Sequence, residues 1–457
     1  MFFTFLRAHF GLLVVLVGAL VVLTAPLAIG SDGLVRYESL DALLRTGTLD
    51  HAKYSMYGPF AAAPLWYLGE AIGYPQETVW VFNRVALLAG LVGLWLTLRP
   101  VLPRDERVRF AALPLFGSMF PWHVMGFFAE VHHAICVGLG LALLATRRGG
   151  WAVVGGALCV WGTANVPASA VGLALAACVL CWHRRRLRYL ALPALAAILI
   201  LLENYLRRGS AFAGGYAGEA GHRTLLPYSG RPDFSYPMFF GLLSILFSLG
   251  KGLVFFVPGL FALYPPLAPA LRGEGGGASP PGVGQDASAR LVYRVWLAVV
   301  VGLVLVYARW WAWYGGAVWG PRFFLFAALS AALVLARRTA RADAYSTGAN
   351  VLALIAVALS CWAGACGLVF QERPLRRYWA NDFAFEHLTW YVPECSALWA
   401  PFVEPQKLEA GQYVQLAAFA LGFVYLAWPV ARVLIVRARE GFAVAWRTVR
   451  AGPRWRF

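Results

Sequence analysis

The sequence predicts an all-α polytopic membrane protein with about twelve transmembrane helices. Three observations support this fold class: 60% of the 457 residues are hydrophobic, only 13% are charged, and apolar runs of bilayer length recur. Soluble domains carry roughly twice that share of charge and do not repeat such runs. We therefore expect one integral-membrane domain over residues 1–457, without a separate soluble domain.

The hydropathy pattern places both termini in the cytoplasm. The segments assigned to the inside hold 24 basic and 6 acidic residues, whereas the rest of the chain holds 15 and 16. Short cytoplasmic loops collect Arg and Lys, so this asymmetry predicts the orientation. It also explains the net charge of +17 without a nucleic-acid partner. The predicted spans cover residues 10–29, 80–98, 110–128, 131–146, 151–165, 167–182, 189–204, 252–271, 293–308, 323–336, 350–370 and 412–431.

The first span has an apolar part too long for a cleaved signal peptide, so we expect an uncleaved anchor. The first outer loop, residues 30–79, then carries apolar residues at helical spacing before a glycine stop, which predicts an interfacial helix. These positions are Leu34, Tyr37, Leu40, Leu44 and Gly47. The aromatic and proline-rich stretch 53–73 predicts a second interfacial element.

Asp32 emerges directly after the first span, at the membrane surface. Two interpretations remain open for it. Either Ser31 or Asp32 caps the N-terminus of the interfacial helix, or Asp32 is a general base whose pKa is raised by partial desolvation.

The second outer turn leads into Glu130, His132 and His133 at the start of the fourth span. Ionisable residues there are usually functional or paired. A metal site is one interpretation, but adjacent histidines point in different directions on a helix. Hydrogen bonding to phosphate or sugar is favoured over it, and simple capping of the interface is the most favoured of the three interpretations.

The third outer loop, residues 205–251, contains Arg207, Arg208 and Tyr216 and ends in Gly250-Lys251-Gly252. Free backbone N–H groups and a cation at a helix start make an anion seat. The alternative is that Lys251 only extends its ammonium group to the headgroups.

The fourth outer loop, residues 309–322, combines five aromatic residues with the pair Gly315-Gly316 and ends in Pro321-Arg322. Flat aromatic faces such as those of Trp313 and Trp319 suit sugar rings, and the glycines allow close approach of a ligand. Arg322, after a proline-fixed turn, suits bidentate phosphate binding.

Three further segments complete the predicted organisation. Residues 371–411 form a late outer loop that covers the site, residues 273–287 form a flexible inner linker, and residues 432–457 form a basic amphipathic tail on the inner leaflet. Cys366 and Cys395 both fall where an oxidising compartment permits a disulfide. The sequence leaves their pairing open.

Four of these stretches together resemble the GT-C superfamily of membrane glycosyltransferases, which use polyprenyl-phosphate sugar donors. Its members include protein O-mannosyltransferases and the lipid A aminoarabinose transferase. The matching points are Asp32 after the first span, the run Tyr-Leu-Arg-Arg-Gly-Ser at 205–210 with Gly215-Tyr216, the segment 248–252, and the Trp-Tyr-Gly-Gly to Trp-Gly-Pro-Arg run at 313–322.

The resemblance implies an inverting transfer of a sugar to an acceptor hydroxyl, on the extracytoplasmic side of a prokaryotic inner membrane. Asp32 would be the base, and the donor phosphate would lie on the cations Lys251, Arg322, Arg207 and Arg208. Sugar or acceptor binding is expected at Tyr57, Glu130, His132, His133, Tyr216, Trp313 and Trp319. The acceptor, whether glycan, lipid or protein, stays open.

Two departures from the superfamily pattern matter. Many relatives carry paired acids where this chain has Asp32-Gly33, which favours a mechanism without a metal or other cofactor. Several relatives also add an outer soluble domain at the C-terminus, which is not expected here.

Two rival functions share parts of this pattern. A lipid-sugar transporter or flippase would have broken helices and charges deep within its spans, and the centres of the predicted spans are nearly free of charge. An O-antigen polymerase or ligase would use a diphosphate donor and a large outer loop built around arginines.

Overall fold

The computed structural model describes residues 2–262, 283–371 and 373–451. Within these ranges the chain is helical, and its one β pairing is an isolated bridge between Ala220 and Pro232. Helices of ten or more residues are α1 (Phe2–Thr24), α2 (Ser31–Thr46), α3 (Tyr57–Ile72), α4 (Phe82–Thr97), α5 (Arg104–Phe116), α6 (Ala129–Thr146), α7 (Gly150–Asn165), α8 (Ala170–Arg184), α9 (Ala191–Arg208), α10 (Met238–Phe247), α11 (Val283–Tyr307), α12 (Ala327–Ala340), α13 (Thr347–Val369) and α14 (Ala410–Ala451).

Seven helical segments of the described chain are long and apolar enough to cross a bilayer, which agrees with the predicted all-helical membrane fold. The number twelve and the division into outer and inner loops stay predictions. The seven segments are Pro75–Thr97, Ala129–Thr146, Pro167–Arg184, Leu187–Arg208, Asp286–Tyr307, Thr347–Val369 and Ala410–Ala443. Helix α12 is shorter but buried on nearly all sides, as expected for a helix at the centre of a bundle.

Two predicted spans differ from the structure. The span 110–128 is interrupted: α5 ends at Phe116, and a separate turn follows, in which Pro121 has no N–H to continue a helix. The span 252–271 contains only the short turns Leu253–Phe256 and Pro258–Ala262 among its described residues. Its remainder lies outside the described residues, as do most of the predicted linker 273–287 and the last six residues of the basic tail.

The predicted interfacial helix is present as α2, and Gly47 ends it in the left-handed conformation, with φ of 70°. Its apolar stripe packs on protein, because Leu40 belongs to a buried cluster with Trp66 and Trp80, and Leu34, Tyr37 and Leu44 pack against that cluster. The capping interpretation of Asp32 is wrong. Gly30 occupies the N-cap position, and no side chain caps the helix.

Gly33 explains the missing second acid beside Asp32. A β-carbon at this position would lie 3.2 Å from both the backbone nitrogen of Phe127 and the ring of Trp80. These contacts are tighter than ordinary van der Waals contact, so any side chain here would require Phe127 or Trp80 to shift by a few tenths of an ångström. Packing against the second outer turn therefore selects glycine.

Arg207 ties the first outer loop to the end of α9. Its side chain is 1% exposed, and its guanidinium donates to the backbone carbonyls of Asp50, Ala52 and Tyr54 and to the carboxylates of Asp50 (2.5 Å) and Glu203 (2.8 Å). Five N–H donors thus meet five acceptor contacts. Glu203 also accepts from the Met56 N–H at 2.8 Å, which fixes the chain just before α3.

The two cysteines that the sequence left open do not form a disulfide in the structure. Cys366 is buried in α13, and its thiol donates to the carbonyl of Ala397 at 3.1 Å. This contact attaches the late outer segment to the bundle.

Arg207→Met is expected to lower the unfolding free energy by about 3–5 kcal/mol, because it leaves buried acceptors and the carboxylate of Glu203 without their cation. The measurement is SDS-induced unfolding of the purified protein in mixed micelles. The matched control is Arg45→Met, which breaks the exposed ion pairs with Asp41 and Glu70 and should cost far less, because solvent screens exposed pairs. Equal losses in the two variants would contradict the structural role given to Arg207.

Candidate active site

Asp32 and Arg322 are 290 residues apart in sequence and form a close ion pair. The Arg322 Nη1 donates to Asp32 Oδ2 at 2.5 Å, and the two side chains are only 12% and 20% exposed. The Arg322 Nε lies 3.8 Å from Oε1 of Glu130, in the first turn of α6. The Tyr54 hydroxyl hydrogen-bonds to the Asp32 carboxylate. The fold therefore brings together three predicted site residues and one that was not predicted.

Local backbone geometry places each partner. Gly30, at φ 143°, turns the chain into α2, so that Asp32 lies in its first turn. Gly315 and Gly316 have φ of 83° and 81°, a region that favours glycine. A β-carbon on Gly315 would lie 2.9 Å from Cγ of Arg322. Gly315 thus makes room for the Arg322 side chain, whereas a β-carbon on Gly316 would be in ordinary contact, 3.8 Å from Nη2 of Arg322.

The acidity of Asp32 differs from the expectation. Burial alone would raise the pKa of Asp32, but the charge of Arg322 and hydrogen bonds from Tyr54 and Arg322 outweigh burial and lower it to about 2. The pair therefore stabilises the fold above the ordinary pKa of 3.8, and this contribution is lost as the pH falls toward 2. In this state Asp32 is a weak base, because the charge of Arg322 stabilises its ionised carboxylate form.

Lys251 is enclosed by the fourth outer loop. Its side chain is 3% exposed, and Nζ donates to the carbonyls of Gly316 (3.3 Å), Val318 (2.5 Å) and Gly320 (3.0 Å). An ammonium group has three donors, so all three are used. In this structure the Lys251 ammonium group therefore has no free donor for an anion and does not extend to the lipid headgroups. Burial lowers its pKa, and the nearby charge of Glu386 opposes that effect.

The other predicted cations are also engaged by the protein. The five donors of Arg207 are used as described above. Arg208 donates to Oδ1 of Asn204 at 2.9 Å and to the carbonyl of Ala52 at 2.6 Å. Both arginines thus hold the segment that leads to Tyr54.

The predicted aromatic residues divide into two groups. Trp313 and Trp319 are 1% and 0% exposed, and Trp319 packs edge-on against Phe256 at 5.2 Å, so both are core residues. Tyr57 donates to the carbonyl of Leu199 at 3.1 Å. Tyr216 alone lies beside the ion pair, since its ring contacts that of Tyr54 at 6.0 Å.

The two adjacent histidines face different neighbours. His133 contacts the carbonyl of Gly162 through Nδ1 at 2.9 Å, whereas His132 lies edge-on to the ring of Phe82 at 5.3 Å. Among the described residues no group of three His, Cys, Asp or Glu side chains is arranged to hold a metal ion.

Sequence reasoning missed two cations at this site. Arg36 is 7% exposed and lies 4.3 Å above the Tyr54 ring, and its Nε and Nη1 have no acceptor within the described chain. Lys53 pairs with Glu219 at 2.8 Å and stands 5.4 Å from the Tyr54 ring centre. The available signals were the position of Arg36 one helical turn after Asp32, and the small number of lysines in an arginine-rich chain.

The fold is similar to that of ArnT from Cupriavidus metallidurans. The crystal structure of its apo state covers 93% of this chain and 77% of that chain, with a TM-score of 0.50 and 14% identity. The crystal structure bound to undecaprenyl phosphate covers 94% and 76%, with a TM-score of 0.51 and 14% identity. The chain therefore shares its fold with ArnT, which agrees with the predicted all-helical membrane fold. No protein-family model and no curated protein sequence matches the chain.

The ion pair is expected to show in a double-mutant cycle of Asp32→Asn and Arg322→Gln. Each single change leaves a mostly buried charge unpaired, so the double variant should be less destabilised than the sum of the singles, by about 0.5–3 kcal/mol. The measurement is the unfolding free energy in mixed micelles. The control cycle pairs Asp32→Asn with Arg309→Gln, at an exposed arginine that donates to the Phe234 carbonyl, and should be additive. A coupling of zero in the first cycle would contradict the pair.

Proposed function

We propose that this protein is an inverting membrane glycosyltransferase that moves a sugar from a polyprenyl-phosphate donor to an acceptor hydroxyl. The observation that carries the proposal is the meeting of Asp32 with Arg322, Glu130 and Tyr54 at one place in the fold. A carboxylate beside a shared cation provides a base and a phosphate ligand. Support also comes from the fold shared with ArnT, which has been crystallised with undecaprenyl phosphate.

The donor phosphate binds to Arg322, Arg36 and Lys53 in this proposal. Arg36 is buried and has unpartnered N–H groups, and Lys53 is near the same Tyr54 ring. Lys251 and Arg207 are left out, because protein acceptors use all of their donors. Arg208 uses two of its five N–H donors on Asn204 and Ala52, so three remain for a ligand.

The phosphate competes with Asp32 for Arg322. As the guanidinium turns to the monoanionic phosphodiester of the donor, the Asp32 carboxylate loses its strongest stabilising charge and its pKa rises. Asp32 then takes the proton of the acceptor hydroxyl. The hydroxyl oxygen forms a bond to the anomeric carbon as the bond from that carbon to the phosphate oxygen breaks, with inversion. The developing phosphate charge remains on the cations, and no cofactor takes part.

The remaining assignments follow from position. Tyr216 and Glu130 lie beside the cluster and line the sugar or acceptor position, with His132 close by on α6. Tyr57, His133, Trp313 and Trp319 support the surrounding structure. The charge asymmetry of the sequence supports a site on the extracytoplasmic side of a prokaryotic inner membrane, with both termini in the cytoplasm.

Asp32→Asn is expected to abolish transfer and to keep donor binding, because the amide is isosteric but does not accept the acceptor's proton. Transfer is measured with a panel of undecaprenyl-phosphate monosaccharides in proteoliposomes, and binding with undecaprenyl phosphate. Arg322→Lys should weaken that binding. The control is Glu38→Gln, at an exposed acid on the same helix, which should retain full activity. Normal turnover by Asp32→Asn would overturn the assignment of the base.

A further inference from the structure

Tyr54 joins the proposed base to the cations of the proposed donor site. Its hydroxyl hydrogen-bonds to the Asp32 carboxylate. The Arg36 guanidinium lies over its ring, 4.3 Å from the ring centre, and the Lys53 ammonium group lies 5.4 Å from the same centre. Both distances are within the range of cation–π attraction. One side chain thus contacts the group that takes the proton and two groups that bind the phosphate in the proposed reaction.

The surrounding protein holds Tyr54 in place from several sides. Its side chain is 6% exposed, and the Tyr216 ring meets its ring edge-on at 6.0 Å. The buried Arg207 donates to the Tyr54 carbonyl through Nη1 at 2.5 Å and also binds the carbonyls of Asp50 and Ala52. Residues that are locked by packing and hydrogen bonds can orient a reacting group. The Tyr54 hydroxyl therefore has a defined position beside Asp32.

The Tyr54 hydroxyl acts as a hydrogen-bond donor and not as a base. Burial raises the pKa of Tyr54 well above its usual value, and the negative charge of Asp32 and the hydrogen bond to it raise the pKa further. Tyr54 therefore keeps its proton at physiological pH and donates it to the ionised carboxylate. Hydrogen bonds to charged groups are stronger than those between neutral groups.

This hydrogen bond matters most after Arg322 has turned to the phosphate. In the resting structure Oδ2 of Asp32 accepts from Arg322 Nη1 at 2.5 Å. The Ser31 hydroxyl is 3.5 Å from Oδ1, which is too long for a strong hydrogen bond. Once the phosphate takes Arg322, the Tyr54 hydroxyl is the donor that keeps the carboxylate from rotating. A carboxylate held by a neutral donor is also a stronger base than one held by a cation.

We infer that Tyr54 is a positioning residue of the proposed reaction: its hydroxyl orients the Asp32 carboxylate toward the acceptor hydroxyl, and its ring supports Arg36 and Lys53 in binding the donor phosphate. This inference rests on the proposed function. It assigns separate effects to two parts of one side chain. Loss of the hydroxyl acts on the base, whereas loss of the ring acts on donor binding.

The hydroxyl is tested with Tyr54→Phe, which keeps the ring. Infrared titration of the full chain with isotope-labelled aspartate in phosphatidylcholine nanodiscs measures the pKa of Asp32, whose band is assigned by its loss in Asp32→Asn. With undecaprenyl phosphate bound, the pKa of Asp32 should be about 1–2 pH units higher in Tyr54→Phe than in wild type, because the ionised carboxylate has lost a donor. The matched control is Tyr57→Phe, whose hydroxyl donates to the Leu199 carbonyl. It should leave the pKa of Asp32 unchanged.

The ring is tested with Tyr54→Leu, which removes the ring together with the hydroxyl. Arg36 and Lys53 then lose the aromatic ring against which they lie, so the dissociation constant of undecaprenyl phosphate should rise about 3- to 10-fold. Tyr54→Phe should bind it as wild type does, which also shows that this variant is folded. The control is Tyr67→Leu, at an exposed tyrosine of α3, which should leave the dissociation constant unchanged.

The positioning role and the proposed function fail in different ways. In wild type, undecaprenyl phosphate should raise the pKa of Asp32 as it takes Arg322. If the phosphate lipid does not bind or causes no rise, the proposed exchange fails, while a higher pKa of Asp32 in Tyr54→Phe still supports the hydrogen bond. If undecaprenyl phosphate raises the pKa in wild type but Tyr54→Phe raises it no further, the role of the hydroxyl is overturned and the proposed function stands. Unchanged lipid binding by Tyr54→Leu would overturn the role of the ring.

Discussion

The ion pair between Asp32 and Arg322 is the constraint on which the arrangement of the outer segments depends. A charge that is removed from water is destabilising unless an opposite charge compensates it. Removing one partner of a buried ion pair therefore costs far more folding free energy than removing one partner of an exposed pair. The pair joins the start of α2 to the turn before α12, and the same Arg322 side chain lies close to Glu130 at the start of α6. It also sets the chemistry of the resting state, because it lowers the pKa of the only acid proposed as a base.

The buried cations around the candidate site differ in how many of their donors the protein already uses. Arg207 and Lys251 have every donor on a carbonyl or carboxylate, and both act as ties between segments. Arg36 has unpartnered N–H groups, and Arg322 is held by acids that a phosphate can replace. Counting donors in this way separates structural cations from those proposed to bind ligand.

The fold class could be predicted from the sequence, and the family resemblance assigned Asp32 and Arg322 to one site. The partners of individual side chains, including the ion pair between these two residues, could not be predicted. Hydropathy identifies helices because bilayer-length apolar runs have few other uses, and local glycine chemistry identified the end of α2. Lys251 was misread because the carbonyls that enclose it lie 65 to 69 residues later in the chain. The role of Gly315 was misread for a similar reason, since the group that needs its space is the Arg322 side chain. Arg36 and Lys53 could not be assigned to the site from the sequence, because only the structure shows that both lie against the ring of Tyr54.

The exchange of Arg322 between Asp32 and the donor phosphate is the central claim of this account. A cryo-EM structure of the protein with undecaprenyl phosphate tests it most directly, through the positions of the two side chains and the phosphate. The account predicts the phosphate within about 3 Å of the Arg322 guanidinium, with the Asp32 carboxylate released from it. A complex in which the phosphate is bound elsewhere, and the pair between Asp32 and Arg322 is unchanged, would contradict the claim.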